Sequence, residues 1–254
     1  MTIICKNCNH KFSGHFCNNC GQSAETHEMN IHFLWHDIQH GLLHLDKGIL
    51  FTAKELFTRP GNSIREFLEG KRVKHFKPIS LLLVLAGIYG LLFHYSHINI
   101  FEGSFTISGK GKEIESIKNS FEKITEWIST HYAIVSLLEL PVLALGTFIA
   151  FKKYGYNFVE HLIINAFLTG QKLIFHILLF PLVYLYNGTA YLKNISDVEN
   201  IIGFGLTAWT FIQFFSTQKK WPIFLKVVLS YLIYLVVFVA IAASVGVVII
   251  KTKT

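Results

Sequence analysis

Apolar positions change their spacing at Pro78. Before it they are sparse and recur on one helical face, and after it they come in runs of membrane-crossing length. Ile31, Leu34, Ile38, Leu42 and Leu45 recur at helical spacing, which predicts an amphipathic helix from Asn30 to Asp46 with its stripe facing lipid or the rest of the chain. A further helical piece is expected from Lys47 to Thr58, stopped by Pro60 and Gly61. Ser63-Ile64-Arg65-Glu66 has the form of a capping box and predicts a third short helix, with Ile64, Phe67 and Leu68 on its apolar face. From Pro78 onward five apolar runs predict spans at about 79–96, 132–151, 158–186, 201–215 and 222–250. The loop over 97–130 carries Ile114, Ile117, Phe121, Ile124 and Ile128, an amphipathic pattern that leads into the second span.

Composition agrees with that division. Of 254 residues 52% are hydrophobic and 15% charged, and the mean hydropathy is +0.43, too apolar for an ordinary soluble domain. The net charge is +7, with a pI near 9.1, which by itself would also suit nucleic acid. The cations, however, cluster in short links beside apolar runs, so the basicity reads as membrane topology and nucleic acid is not expected as a partner. Lys71 to Lys77, Lys152-Lys153 and Lys219-Lys220 fall on one side when the spans alternate. That side is expected to be the cytosol, with the amino terminus inside and the carboxyl terminus in the periplasm. Lys251 and Lys253 are discordant with it. The first thirty residues are polar and show no secretory signal, so a bacterial inner-membrane protein with a cytosolic amino terminus is expected.

Between Arg59 and Pro78 the sequence is RPGNSIREFLEGKRVKHFKP. Arg59, Arg65, Lys71, Arg72, Lys74 and Lys77 place cations beside the first span, and a flat-lying collar that touches anionic headgroups would gain about 1 kcal/mol per cation. The same pattern also serves as the positive flank of any inner-side membrane entry.

The strongest motif is Cys5-x2-Cys8 followed by Cys17-x2-Cys20-Gly21. Two such knuckles let four thiolates converge on one ion, and Gly21 permits the tight turn a knuckle needs. Disulfides would need an oxidising compartment, so the reading is a zinc ribbon over residues 1–22 holding one structural zinc per chain. So short a head has no core of its own, and metal binding, on the order of 10–16 kcal/mol in small finger peptides, must supply its folding energy. No ligand position is left open for chemistry. Lys6, His10 and Lys11 are too few cations for nucleic acid, which favours a protein partner.

Two further groups carry candidate chemistry. His32, His36, His40 and His44 stand four apart on the first amphipathic helix, with Asp37 and Asp46 nearby, so neighbouring pairs can chelate a transition metal or respond to pH. Histidines tolerated at an interfacial helix would look the same. Inside the spans stand Glu139, Glu160, His161, Lys172 and His176. A charge at the bilayer centre costs about 2.5–3.5 kcal/mol, so each needs a partner. Glu139, beside Pro141, is expected to pair with Lys172 or His176, as a functional pocket or a structural ion pair. Glu160 and His161 are expected near the headgroups.

The order CxxC...CxxCGQ, LDKGILFT, RPGNSIREFLEGKRVKHFKP, LPVLALGTFIAF and YNFVEHLIINAFLTG resembles the bacterial membrane family catalogued as domain of unknown function 3667. The resemblance rests on Asp46, Gly48, Pro60, Gly61, Gly70, Lys71, Arg72, Pro78, Pro141, Glu160 and His161, and it implies architecture without a known activity. The topology is also similar to Yip1-type membrane proteins. The expected fold class is an all-α integral membrane protein of about five transmembrane helices, with an N-terminal cytosolic zinc ribbon, interfacial helices over 27–77 and a membrane body over 78–250. The favoured role is a non-enzymatic adaptor whose ribbon binds a cytosolic partner; a homo-oligomer is left open. The alternatives are a small transporter or lipid-handling protein using Glu139, Lys172 and His176, and a metal-dependent enzyme built on His36, His40 and His44.

Overall fold

In the computed structural model the described residues are 2–24, 26, 48–96, 98, 115, 119, 123–128, 130–189 and 191–253, with side chains through 241 and at 244. The histidine ladder of His32, His36, His40 and His44, with Asp37 and Asp46, lies outside them, as does most of the 97–130 loop. The chain starts with a two-stranded hairpin, β1 (Ile3–Ile4) and β2 (Lys11–Phe12), paired antiparallel with Ile3 opposite Phe12. Among the described residues the named α-helices that follow are α1 (Gly48–Thr58), α2 (Pro60–Leu68), α3 (Pro78–Ser96), α4 (Tyr132–Phe151), α5 (Phe158–Leu185), α6 (Tyr191–Phe214) and α7 (Lys220–Lys253).

The fold is all-α apart from the hairpin. Among the described residues four helical stretches are long and apolar enough to cross a membrane: Pro78–Ser96, Tyr132–Tyr154, Phe158–Leu185 and Lys220–Ile241. Helix α6 is not among them, because Lys193, Asp197 and Glu199 occupy its first half. It is nonetheless the fifth long member of the bundle. Its apolar second half is the run expected at 201–215, and the helix continues N-terminally to Tyr191 because no Gly or Pro interrupts it and Leu192 and Ile195 pack on the core.

Contacts along the helices set their directions. Gly170 of α5 lies against Leu81 of α3, Tyr89 against His176 and Phe93 against Phe180, so α3 and α5 run parallel. Lys226, Ser230 and Tyr234 of α7 meet Ala150, Gly146 and Glu139 of α4 in that order, so α7 and α4 are antiparallel. Glu199, Gly203 and Thr210 of α6 meet His176, Lys172 and Gln171 of α5, also antiparallel. The starts of α3, α5 and α7 and the ends of α4 and α6 therefore share one end of the bundle. That end carries the basic links Lys71 to Lys77, Lys152-Lys153 and Lys219-Lys220. It is closed by an aromatic stack in which Phe151 lies parallel to Phe211 at 4.6 Å and to Phe215 at 5.1 Å. Gly155, in the left-handed region at φ +84°, reverses the chain there, and a capping box between Asn157 and Glu160 starts α5.

Helix α2 departs from the expected start. Pro60 occupies its first turn, where a missing N–H costs nothing, and Ser63 lies inside the helix, buried, so it caps nothing. Ile64 and Phe67 of its apolar face are 1% and 2% exposed and pack into the bundle core. Gly61 makes that approach possible: a Cβ there would stand 2.7 Å from the carbonyl carbon of Gln213 and closer still to Phe214 N and Thr210 O on α6.

Candidate metal centre and intramembrane polar cluster

The two cysteine knuckles are built by the same pair of backbone bonds. Cys5 N donates to His10 O and Asn9 N to Cys5 O, both at 2.9 Å; Cys17 N donates to Gln22 O and Gly21 N to Cys17 O, both at 2.8 Å. The fifth residue of each turn needs a left-handed backbone. Gly21 has φ +76° and Asn9, at the equivalent place in the first knuckle, φ +57°. Sequence reading found the glycine and missed the asparagine, although Asn is the non-glycine residue that enters this region most readily.

The turns bring the four sulfurs to within 4.8 Å of one another, and these cysteines could hold a metal ion. Cys5 and Cys20 Sγ are 3.5 Å apart and Cys8 and Cys17 Sγ 3.6 Å. A tetrahedral site with metal–sulfur bonds of about 2.3 Å has edges of about 3.8 Å, so the quartet fits such a group. Surrounding donors favour the thiolate at Cys8 and Cys20. The Asn19 side chain and the His10 backbone bring the Cys8 thiol down to about 6, the Asn7 side chain and the Gln22 backbone lower Cys20, and burial pushes Cys5 up to about 11.

The ribbon is anchored. Gln22, 5% exposed, accepts hydrogen bonds from the backbone N–H of Arg72 and of Val73, each at 3.0 Å. Beside it Gly70, at φ +107°, lies so close to the ribbon that a Cβ would meet Lys6 Cδ at 2.9 Å.

Arg59, Arg65, Lys71 and Arg72 of the collar have protein partners. Arg59 pairs with Glu55 at 2.6 Å and Glu66 at 3.1 Å, and Lys71 with Glu66 at 3.4 Å. Burial would raise the Glu66 carboxyl, but Arg59 and Lys71 hold it below the usual carboxylate range. Arg65 donates to Phe214 O, Ser216 Oγ and Asn62 Oδ1, which caps the end of α6. Arg72 donates to Phe67 O and lies over the Phe67 ring. Lys74 is exposed, and Lys77 precedes α3. His75 is held among the rings of Phe51, Phe67 and Phe167, with Nδ1 lacking a hydrogen-bond partner among the described residues, and burial brings it down to about 4.

In the bundle the expected partners change. Glu139 accepts a 2.5 Å hydrogen bond from Tyr234 rather than pairing with Lys172. His176 sits 3.6 Å from Glu199 of α6. Lys172 is half-buried, runs over Gly203, and makes no hydrogen bond or ion pair with the described residues. Glu160 belongs to the capping box of α5. His161 is fully buried in protein, with Nδ1 on Thr147 Oγ1 at 3.1 Å, and Asn165 donates to the same hydroxyl at 2.7 Å.

Two polar residues absent from the sequence reading tie these parts together. Gln171, fully buried, donates to Leu56 O of α1 and accepts from Thr210 of α6. Lys226 donates to Ala150 O at the end of α4. Each is a polar residue interrupting an apolar run, a signal that was available.

No curated protein and no solved structure matches the chain. Residues 46–90, from Asp46 through the collar into α3, match the model of the family described as Protein of unknown function (DUF3667).

Proposed function

We propose that the protein is a non-enzymatic membrane adaptor: a structural zinc ribbon, held at the cytosolic face of a bacterial inner membrane, binds a cytosolic protein while the helices anchor it. The observation that carries this reading is the anchoring of the ribbon by Gln22 to Arg72 and Val73, which gives the head a set orientation on the collar. A head so held presents Ile4 and Phe16, 60% and 66% exposed, as apolar contact points. Four thiolates with no open position suit a structural zinc. The shared end of the bundle that bears the basic links suits a cytosolic face, and exposed Lys74 suits contact with anionic headgroups there.

The experiment is photo-cross-linking in cells from a reactive amino acid placed at Phe16 or Ile4, with Tyr191 at the far end of the bundle as control. The expected result is one protein adduct from both ribbon positions, lost in Cys8→Ser and absent from the control. No ribbon adduct, together with unchanged cell physiology after deletion of residues 2–22, would overturn the adaptor.

A further inference from the structure

Lys172 stands near the middle of α5, half-buried, and its ammonium makes no hydrogen bond or ion pair with the described residues. A charge at that depth in a spanning helix is costly unless something answers it. Lys172 lines a cavity of about 20 Å³ where α4, α5, α6 and α7 converge, with Thr147, Asn165, Thr207, Ser230, Tyr231 and Tyr234 as the other polar groups. The protons of those six are committed. Thr147 donates to the carbonyls of Leu143 and Ala144, Thr207 to Gly203 O and Ser230 to Val227 O. With the Thr207 proton engaged, the 3.1 Å contact with Tyr231 is donated by the tyrosine. Tyr234 donates to Glu139 of α4. The Asn165 amide is oriented by His161 O, a pure acceptor, so its NH2 faces that carbonyl and Thr147 and its oxygen is left over.

The lining is therefore mixed. Lys172 brings three N–H donors and no acceptor, and the other groups bring lone pairs, above all on Asn165 Oδ1 and on the Tyr234 hydroxyl oxygen. Donors and acceptors face one space without bonding across it. A guest that serves both must accept from an ammonium and donate to oxygens. A metal cation is repelled by Lys172 and accepts nothing from it, and a simple anion has no proton for the oxygens. Water does both, and a cavity of this size with three polar partners holds one molecule.

We propose that the cavity binds one water molecule, and that this water joins Lys172 to Glu139 as a bridged ion pair. The water oxygen accepts from Lys172 Nζ, and its two protons go to the Tyr234 oxygen and to Asn165 Oδ1. Tyr234 in turn donates to Glu139 Oε1. Every hydrogen bond from ammonium to carboxylate then points the same way, so each polarises and strengthens the next. Glu139 does not itself line the cavity, which makes the Tyr234 hydroxyl a required link. The branch to Asn165, whose NH2 is held by His161 O and Thr147, fixes the orientation of the water. Two opposite charges on α5 and α4 are thereby answered inside the bundle, through a residue of α7.

The test has two independent readouts on the purified full chain. In lipid nanodiscs, a density map fine enough to show waters should place one peak at about 2.7–3.2 Å from Lys172 Nζ, the Tyr234 oxygen and Asn165 Oδ1. In detergent micelles, Lys172→Met and Glu139→Gln should each lower the folding equilibrium constant. The loss in the double variant should fall short of the product of the two single losses by about tenfold, the mark of coupled residues. In a Tyr234→Phe background that shortfall should shrink severalfold. A map with no peak at that place would overturn the proposal, as would single losses that simply multiply. A shortfall unchanged by Tyr234→Phe would also overturn it, by assigning the coupling to charges acting through space. The map needs only the wild-type chain and decides the question if a variant fails to fold.

Discussion

The side-chain oxygen of Gln22 accepts the backbone N–H of Arg72, and with it that of Val73, across fifty residues of sequence. One buried amide thereby joins the cysteine knuckle to the basic link that precedes α3. Gln22 follows Gly21 directly, so the turn that closes the second knuckle also aims the anchor.

Gln22→Ala should release the ribbon from the collar without unfolding it. Loss of the two bonds leaves two N–H groups without that partner, a cost of about 1–3 kcal/mol to docking. Hydrogen exchange at Arg72 and Val73 should quicken by roughly tenfold or more, since each 1.4 kcal/mol is about a factor of ten, while metal content stays the same. Unchanged exchange at these two amides would refute the anchor.

Metal removal should act on the head alone. Cys5, Phe12 and Cys17 form a core of their own, separate from the cluster that includes Leu82, Phe167 and Phe211. A chelator, or Cys17→Ser, should remove one metal equivalent per chain and the dispersed NMR signals of residues 2–24. Helical circular dichroism should stay within error. A collapse of the helical signal would mean that the two cores fold as one.

Gly61→Ala forces a methyl group against the α6 backbone, which has no flexible end to move aside. Overpacking of this kind costs about 1–3 kcal/mol and should lower the melting temperature by several degrees. Gly205→Ala on α6, where none of the described residues lies within 4 Å, is the control and should be neutral or slightly stabilising. Equal melting temperatures for the two variants would remove the close α2–α6 crossing.

His75 makes stability depend on pH in a stated direction. Its pKa falls from 6.5 to about 4 on folding because burial disfavours the imidazolium. The folded chain therefore binds the proton more weakly than the unfolded chain does. Stability is full above pH 6.5 and is lost as pH falls toward 4, by at most about 3 kcal/mol. Chemical denaturation of the wild type at pH 7 and pH 4.5 should show that loss, and His75→Phe should lack most of it. A variant with the same pH slope as the wild type would assign the loss to other groups.

Membrane character, the approximate places of the apolar runs and the cysteine quartet were all legible along the chain. Each is a local property. A run long enough to cross a bilayer is a matter of length and hydropathy, and a C-x-x-C turn closes within six residues, so neighbours in sequence suffice to recognise them. Asn9 was legible in principle and was hidden by its glycine counterpart, Gly21.

Which partner each polar group takes was decided by the tertiary structure. Glu139 meets Tyr234, 95 residues away, because α7 runs antiparallel to α4, and His176 meets Glu199 because α6 returns along α5. The apolar face of α2, expected from the sequence to lie flat on lipid, is instead buried against the bundle because Gly61 admits the α6 backbone. The polar half of α6 remains helical by packing Leu192 and Ile195 on that same core. Helix direction and rotation leave no periodic trace in a uniformly apolar run. The sequence by itself therefore determined that the helices exist, and packing alone determined which of their few polar groups face one another.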